Sequence, residues 1–189
     1  MRIAITGGTG MIGSKLTAFL LAHGHRVSAI TRKPSYHKAH MSVIAWDPSL
    51  NYIESSALEG IDVVIHLAGA NVGEYWSDSY KQEILESRVV STKILCNCLA
   101  RLKHKPKLLI SASAIGYYGN QAPEKVLDEK NLWGDGFLAD VCHQWERETD
   151  TAAEADIRVI RMRLGVVLSK TGGALNKMLR PFRRGFGGV

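Results

Sequence analysis

The first thirteen residues constrain the fold more than any other part of the chain. An apolar segment, residues 3–5, leads into Thr6-Gly7-Gly8-Thr9-Gly10-Met11-Ile12-Gly13, after which apolar residues recur at helical spacing. Glycine is needed where the backbone adopts angles that a Cβ would obstruct, and where backbone N–H groups approach a pyrophosphate closely. The pattern predicts a strand, a phosphate-binding turn that uses Gly7, Gly10 and Gly13, and a helix.

Strand and helix patterns alternate along the rest of the chain. We predict strands over residues 2–6, 26–31, 42–46, 61–67, 107–112 and 157–163. We predict helices over residues 11–23, near 50–57, and over 78–103, 135–154 and 174–184. This alternation is typical of parallel strands joined by right-handed crossovers. The expected fold is a Rossmann-type, doubly wound parallel α/β sheet with helices on both faces, and residues 1–189 are expected to form one domain.

Charge and hydropathy exclude several classes of partner. The net charge of +6 comes from scattered basic residues, with no basic stripe interleaved with aromatic side chains, so no nucleic-acid partner is expected. The sequence contains no run of about 18 apolar residues, and Met1-Arg2 leads directly into a strand. We therefore expect neither a membrane span nor secretion, and the expected location is the cytoplasm.

The cysteines and histidines do not predict a metal site. Cys96 and Cys98 are two residues apart on a predicted helix, a spacing that suits neither a disulfide nor a zinc site, and Cys142 makes the count odd. The seven histidines form no ligand motif. We expect reduced, partly buried thiols and no bound metal.

The end of the second predicted strand bears on the choice of cofactor. An NAD-specific domain usually carries an acidic residue there, which binds the ribose 2′-hydroxyl. This chain has Thr31-Arg32-Lys33 instead, and a guanidinium can bind a 2′-phosphate with paired, charge-assisted hydrogen bonds. The sequence predicts that NADP(H) is preferred over NAD(H). The alternative is that Arg32 and Lys33 are solvent-facing loop charges.

Three segments resemble the extended, epimerase-like branch of the short-chain dehydrogenase/reductase superfamily. The first is Gly7-x-x-Gly10-x-x-Gly13, and the second is Leu67-Ala68-Gly69, at the end of the fourth predicted strand. The third is the loop from Ser111 to Gly119, after the fifth. The resemblance implies these cofactor contacts: Gly7, Thr9, Gly10, Met11, Ile12, Gly13, Thr31, Arg32, Leu67, Ala68, Gly69 and Ser111. His66 stands where the family usually has Asn, and we expect it to be a hydrogen-bonded structural residue.

The same resemblance implies the residues that act on a substrate. Ser113 takes the position whose hydroxyl binds the reacting oxygen, and Tyr117 and Tyr118 just beyond it could exchange a proton. Arg88 takes the place of an Asn on the long central helix. It is predicted either to bind an anionic substrate or to pair with a nearby carboxylate such as Asp128 or Glu129.

One departure from the wider family is itself informative. The family's Tyr-x-x-x-Lys pair is replaced by Phe137 and Val141, and neither of these side chains can transfer a proton. The same pattern is found in a subgroup named epimerase-family or nucleoside-diphosphate-sugar-epimerase-like proteins, and the resemblance covers nearly all of the chain. In the extended family a substrate-binding region follows the cofactor domain, so residues 170–189 are expected to be the start of such a region, cut short.

Three functions remain open at this point. The first is hydride transfer between NADP(H) and a small carbonyl or sugar-like substrate. The second is an NADPH-binding sensor or regulatory protein without turnover, which the replacement of both titratable residues favours. The third, a scaffold without cofactor, gives no reason for three close-approach glycines. A small molecule is the expected partner, and a homodimer through the long helices is left open.

Overall fold

The computed structural model describes residues 1–32, 41–170 and 172–186. Within these ranges the strands are β1 (Arg2–Thr6), β2 (Arg26–Thr31), β3 (Ser42–Asp47), β4 (Tyr52–Ile53), β5 (Val63–His66), β6 (Leu108–Ala114) and β7 (Arg158–Leu164). The α-helices are α1 (Met11–Ala22), α2 (Asp78–Arg101), α3 (Phe137–Arg147), α4 (Asp150–Glu154) and α5 (Gly173–Arg183). The predicted alternation of strands and helices is confirmed.

The described strands form one sheet in the order β4-β3-β2-β1-β5-β6-β7. β1 lies at its centre and pairs in parallel with β2 on one side and with β5 on the other. The chain moves outward from β1 in one direction and then crosses back to β5, so the strand order reverses between these two strands. In an open parallel sheet, ligands bind at such a switch point, beyond the carboxyl ends of the strands.

Helices cover both faces of the sheet, as expected. Successive strand residues point to opposite faces, so each strand contributes to two cores. One core contains Ile3, Ile5, Val27 and Ile65, with Leu16 and Leu20 of α1 packed against it. The other contains Ala4, Val64 and Leu109, together with Leu95 and Leu99 of α2 and Ala152 of α4. The doubly wound α/β prediction is confirmed.

The helix predicted over residues 135–154 is two helices, α3 and α4. Gly136 has a φ of +100°, so the first helix begins only at Phe137. At the other end, the buried Thr149 hydroxyl donates to the Glu146 carbonyl oxygen at 2.6 Å and accepts from Arg161 Nε at 2.7 Å. A threonine hydroxyl that bonds to the backbone in this way competes with the helical pattern. The chain therefore turns before α4.

The prediction of a single short helix near residues 50–57 is also wrong. Pro48–Leu50 and Ser55–Leu58 are 3₁₀ turns, and β4 lies between them, antiparallel to β3. Asn51 has a φ of +50°, which ends the first turn and reverses the chain. The sheet is consequently parallel except at this edge.

The ends of other elements differ by a few residues from the prediction. β6 continues to Ala114 because its pairing with β7 extends to Ala114 opposite Leu164, so Ser113, like Ser111, lies in the strand rather than in the loop after it. The C-terminal helix, predicted over 174–184, is α5. Lys33 and residues 187–189 lie outside the described residues. No described helix is long and apolar enough to cross a membrane.

Candidate functional site

The predicted glycine turn has a conformation that excludes larger residues. Gly7 has a φ of +66°, and an ideal Cβ built on it would lie 2.7 Å from the Leu67 carbonyl carbon. A Cβ at Gly13 would lie 2.2 Å from the Gly7 carbonyl oxygen. The Gly10 N–H donates to that same oxygen at 3.0 Å and closes the turn. The turn therefore packs directly on its own helix and on the segment after β5.

The turn presents the beginning of α1 at the carboxyl edge of β1. Gly10 is the N-cap residue, no side chain caps the helix, and its first turn contains no acidic residue. Uncapped N–H groups and the positive end of the helix dipole favour an anion at this point. Thr9 and Gly10 are exposed, and Met11 and Ile12 are half-buried. These predicted contacts are accessible to a bound pyrophosphate.

A buried histidine connects this turn to the neighbouring strand. Thr6 Oγ1 accepts hydrogen bonds from the N–H groups of residues 67 and 68 at 3.0 and 3.1 Å. Its own proton is therefore donated to His66 Nδ1, at 2.7 Å. The opposite ring nitrogen must then carry the proton, and it donates to Thr92 Oγ1 at 2.9 Å. Burial lowers the pKa of His66 to about 4, so the ring is neutral, and the predicted hydrogen-bonded structural role is confirmed.

The residues predicted to contact the adenosine end of the cofactor differ in how exposed they are to solvent. Arg32 is exposed at the end of β2, where its charge helps to lower the pKa of Asp47 behind the larger effect of the hydrogen bond from Ser49. Thr31 is half-buried in the same strand. Leu67 and Ala68 are half-buried next to Gly7, and Gly69 is exposed. Ser111 differs from these, because it is buried and its hydroxyl donates to the Ala112 carbonyl oxygen at 3.2 Å.

Ser113 belongs to a buried network of charged side chains. Its hydroxyl donates to Glu146 Oε1 at 2.6 Å. Arg163 holds both oxygens of the same carboxylate, Nε to Oε1 at 2.9 Å and Nη2 to Oε2 at 2.8 Å. Burial alone would raise the pKa of Glu146, but the hydrogen bonds from Arg163 and Ser113 outweigh it and hold that pKa below its ordinary value. Because the ionised Glu146 accepts the hydrogen bond from the serine hydroxyl, the Ser113 oxygen can act only as an acceptor toward other groups.

Arg163 also contacts the two tyrosines that were predicted to act on the substrate. Its Nη1 donates to the Tyr118 hydroxyl at 2.9 Å, and that hydroxyl donates to the Asp128 carbonyl oxygen at 3.0 Å. The guanidinium lies 3.5 Å from the centre of the Tyr117 ring, which is buried. The structure therefore brings Ser113, Tyr117 and Tyr118 together around one arginine. The hydrogen bonds to Glu146 raise the pKa of Arg163 above its already high ordinary value.

Arg88 lies apart from this network. Its Nη2 donates to the Ala70 carbonyl oxygen at 3.0 Å, and its Nη1 donates to the Ile84 carbonyl oxygen at 3.1 Å. The guanidinium lies 5.3 Å from the centre of the Trp145 ring. Among the described residues it forms no ion pair with a carboxylate, so the alternative that it pairs with Asp128 or Glu129 is wrong. Both of those residues are exposed.

The two residues that replace the Tyr-Lys pair are also packed against neighbouring side chains in the structure. Val141 is buried in α3, and Phe137 packs edge-on against Trp76 with ring centres 5.7 Å apart. Trp145 is buried on the same helix. Trp76 therefore packs against the helix that carries these two positions, and Trp145 is part of that helix.

Sequence reasoning assigned no role to Glu146 or Arg163. Neither residue lies near Ser113 in the sequence. Other charged residues lie close by in both segments, such as Arg147 in α3 and Arg161 in β7, so the sequence did not distinguish Glu146 and Arg163 from them. Such residues are rarely buried unless they are paired.

The described residues contain no group of three or more histidine, cysteine or acidic side chains arranged to hold a metal ion. An open cleft of about 420 Å³ borders the glycine turn, between α1 and the segment after β7. Its lining includes Met11, Ile12 and Lys15 on one side and Val167 and Leu168 on the other. The cleft is therefore continuous with two of the predicted cofactor contacts.

Comparisons with known proteins agree with this geometry. The model of the NAD dependent epimerase/dehydratase family matches residues 3–135. The chain is 39% identical over 186 residues to the epimerase family protein Mb2239 of Mycobacterium bovis, a match that covers 98% of this chain and 60% of that protein. The chain thus spans about three fifths of the length of this relative.

Two solved structures resemble the chain closely in fold. One is the nucleoside-diphosphate sugar epimerase of Corynebacterium glutamicum, with a TM-score of 0.82 and 40% identity, covering 96% of this chain and 37% of that one. The other is the human epimerase family protein SDR39U1 (isoform 2) with NADPH, with a TM-score of 0.81 and 30% identity. That match covers 100% of this chain and 61% of the human one.

Proposed function

The chain belongs to the NAD dependent epimerase/dehydratase family, and from that premise we propose that it binds NADP(H) and transfers hydride between the nicotinamide and a small carbonyl or sugar-like substrate. The observation that carries the proposal is the glycine turn. Gly13 lies so close to Gly7 that no side chain fits between them, and the start of α1 is left uncapped at the sheet's switch point. This is the arrangement that a bound pyrophosphate requires.

The choice of NADP(H) rests on Arg32. A guanidinium at the end of β2 can bind a 2′-phosphate, whereas the acidic residue of NAD-specific domains would repel it. Arg32 is exposed, so its side chain is available to a ligand. The human relative, 30% identical to this chain, is described with NADPH. These two points support NADP(H) over NAD(H).

Ser113 and Tyr118 are proposed to act at the substrate end. The bound nicotinamide supplies or accepts the hydride. The Ser113 hydroxyl donates its hydrogen bond to Glu146, so its oxygen lone pairs can accept a hydrogen bond from a substrate hydroxyl. Tyr118 is half-buried and hydrogen-bonded by Arg163, and we assign it the proton exchange with the substrate oxygen. Tyr117, buried beneath the same guanidinium, holds Arg163 in place.

A second candidate function is an NADPH-binding sensor or regulator without turnover. The observation that favours it is the apolar packing of Phe137 and Val141, which leaves no titratable pair at those positions. A panel of aldehydes, ketones and nucleotide sugars separates the two functions. Oxidation of NADPH that is abolished in Ser113→Ala supports the enzyme, and tight NADPH binding without turnover across the panel supports the sensor.

Substitution of Arg32 tests the cofactor assignment. Arg32→Glu places a carboxylate at the expected 2′-phosphate, so NADPH affinity should fall by about 100-fold, with NADH affinity unchanged or improved. Titrations that follow nicotinamide fluorescence measure both constants. Arg101→Glu, an exposed arginine at the end of α2, is the matched control for the change in net charge. Unchanged NADPH affinity in Arg32→Glu would contradict the assignment.

Two further expectations concern the whole protein. A cytoplasmic location and a homodimer that pairs through the long helices both remain predictions from the sequence. Light scattering of the purified chain measures its mass in solution and decides the second. A monomeric mass across the accessible concentration range would rule the dimer out.

A further inference from the structure

A second open cleft lies along the flank of the sheet, between β4 and the second half of α2. Its volume is about 400 Å³. One wall is a single face of α2, formed at helical spacing by Ile94, Asn97, Cys98 and Arg101. The other wall comes from residues 51–53, Ser55 and Glu59. The buried side chains of Ile94 and Leu102 give the cleft an apolar floor, whereas its rim is polar, and none of the predicted cofactor contacts lines it.

The cleft opens toward the amino edge of the sheet, opposite to the glycine turn. β4 runs antiparallel to β3, so the chain after it leads away from the carboxyl edge. α2 begins after β5 and ends before β6, so it leads in the same direction. The Gly60 N–H donates to the His104 carbonyl oxygen at 3.1 Å and joins the ends of these two segments. Glu59 and Arg101 of the cleft therefore lie at the amino edge.

Exposed basic side chains continue from the cleft along this edge. Together they form a basic strip, which consists of Arg2, Arg26, Arg101, Lys103 and Lys107. Arg2 pairs in register with Arg26, and its carbonyl oxygen accepts from the Asp62 N–H at 2.9 Å. The Lys107 N–H donates in turn to the Asp62 carbonyl oxygen at 2.9 Å. Because neighbouring strands lie about 4.8 Å apart, the strip runs without interruption from the start of β2 to the start of β6.

The Arg2 guanidinium connects the strip to the cleft. An ideal Cβ at Gly60 would lie 3.0 Å from Arg2 Nη1, so this guanidinium lies against the residue that follows Glu59. At the other end of the cleft wall, Arg101 belongs to both the cleft and the strip. The cleft and the basic strip are therefore parts of one continuous surface.

The positive charge of the basic strip is not compensated within the part of the chain that the structure describes. There, none of its members takes part in an ion pair. The nearby carboxylate of Glu59 accepts the backbone N–H groups of residues 103 and 104 at 3.0 and 2.8 Å, and that of Asp62 accepts the Arg2 N–H at 2.7 Å. Arg2 and Arg26 lie side by side, where like charges repel. An anion along the strip relieves this repulsion.

A ligand that fits the whole surface needs an apolar group for the cleft and several negative charges for the strip. A bilayer is flat and does not enter a cleft. A single-stranded nucleic acid has the charges, but its bases stack on aromatic side chains, and the basic strip contains none. An acidic peptide has both an aliphatic side chain and carboxylates, and guanidinium groups bind carboxylates with paired hydrogen bonds.

We infer that the cleft and the basic strip bind an acidic peptide segment of a partner protein, with one aliphatic side chain in the cleft and carboxylates along the strip. The inference is independent of the proposed function, because the glycine turn and Arg32 lie at the other edge of the sheet. A partner bound here leaves the cofactor site open.

A synthetic peptide tests this surface without knowledge of the partner. The full chain is titrated into a fluorescein-labelled peptide in which one leucine lies between two runs of glutamate, and fluorescence anisotropy measures binding. The matched peptide has serine in place of the leucine. Alkylation of Cys98 by iodoacetamide, followed by mass spectrometry, reports whether the cleft is filled, because Cys98 lines it and is half-buried while Cys96 and Cys142 are buried.

The expected result is saturable binding of the leucine peptide, with Cys98 protected from alkylation. The serine peptide should bind about tenfold more weakly, because no apolar side chain is buried, and should leave Cys98 unprotected. The double variant Arg101→Gln with Lys103→Gln should weaken binding of the leucine peptide by about tenfold. Lys130→Gln with Arg147→Gln is the matched control, since both residues are exposed elsewhere and the change in net charge is the same.

Four results would overturn the inference. They are no saturable binding of the leucine peptide, equal affinity for the leucine and serine peptides, an equal loss of affinity in the control variant, and tighter binding of phosphatidylserine vesicles or of a thymidine oligonucleotide than of the peptide. Saturating NADPH should leave the peptide affinity unchanged, and competition between the two would assign the cleft to the cofactor site. Peptide binding by a chain that does not bind NADPH would contradict only the proposed function.

Discussion

The two ends of the candidate site are built by different means. At the first end, backbone atoms contact backbone atoms, and Gly7 and Gly13 are present because no Cβ fits. At the second end, charged side chains from separate elements meet, with Glu146 of α3 held by Arg163 of β7 and bonded to Ser113 of β6. The first end offers N–H groups to an anion, and the second orients a hydroxyl.

This difference predicts different responses to substitution. A site made of close backbone contacts has no space for one added carbon atom, but it contains no charge that a substitution could leave unpaired. A site made of a buried ion pair is sensitive to the loss of one partner and much less so to replacement of both. The predictions below separate the two ends on this basis.

The largest effect on stability is expected from breaking the ion pair. Arg163→Met leaves the Glu146 carboxylate, which is 6% exposed, without its cation. The free energy of unfolding should fall by about 3–5 kcal/mol, measured by urea denaturation. In the double variant Glu146→Gln with Arg163→Met, no charge is left buried, and a substantial part of this loss should be recovered.

Arg161→Met provides the matched control on the same strand. Arg161 pairs with Asp150 at the surface and donates a hydrogen bond from Nε to the buried Thr149 hydroxyl, so Arg161→Met should cost about 1–2 kcal/mol, less than Arg163→Met. Equal losses of unfolding free energy in Arg161→Met and Arg163→Met would show that the Arg163–Glu146 pair stabilises the fold no more than the Arg161 contacts do. A double variant no more stable than Arg163→Met would show that the loss does not come from an unpaired carboxylate.

A smaller effect is expected from His66, whose ring is hydrogen-bonded to Thr6 and Thr92 beside the glycine turn. Its pKa is about 4 in the folded protein and about 6.5 in the unfolded chain. Between these values the unfolded state binds more protons, so stability is complete above about pH 6.5 and falls as the pH falls toward 4. The total loss is on the order of 3 kcal/mol. Urea denaturation at several pH values measures it.

His66→Asn should remove this dependence and give a flatter profile between pH 4 and pH 6.5. Glu146 does not account for the change in stability between pH 4.5 and pH 6.5. Its pKa is lowered from the ordinary value of 4.5, so the stability that depends on its ionisation is lost at lower pH. Parallel profiles for the two proteins would mean that His66 is not the group that titrates.

The fold and the first end of the site could be predicted from the sequence because their causes are local. Apolar periodicity predicted the bounds of β1, α1 and β2 to within one residue. The glycine spacing indicated a tight turn, and the structure confirms that no Cβ fits in it. Each of these patterns is contained within a short segment. Glycine marks a backbone requirement directly, since no other residue meets it.

The second end could not be predicted in the same way. Glu146 and Arg163 are 17 residues apart and meet only because α3 packs beside β6 and β7. The break between α3 and α4 likewise depends on a bond from Arg161 to Thr149. Arg88 was identified as a candidate, but its lack of a carboxylate partner is a tertiary property. Pairing between distant side chains leaves no periodic signal in the sequence.

Titration of the unchanged chain and of Gly13→Ala with NADPH tests the central claim most directly. A methyl group at residue 13 would lie 2.2 Å from the Gly7 carbonyl oxygen, so the turn must open to accommodate it. The account predicts saturable NADPH binding to the unchanged chain and a loss of about 100-fold or more in Gly13→Ala, whose circular dichroism still shows a folded α/β protein. Absence of binding by the unchanged chain, or equal affinity in the two proteins, would contradict the glycine turn as the cofactor site.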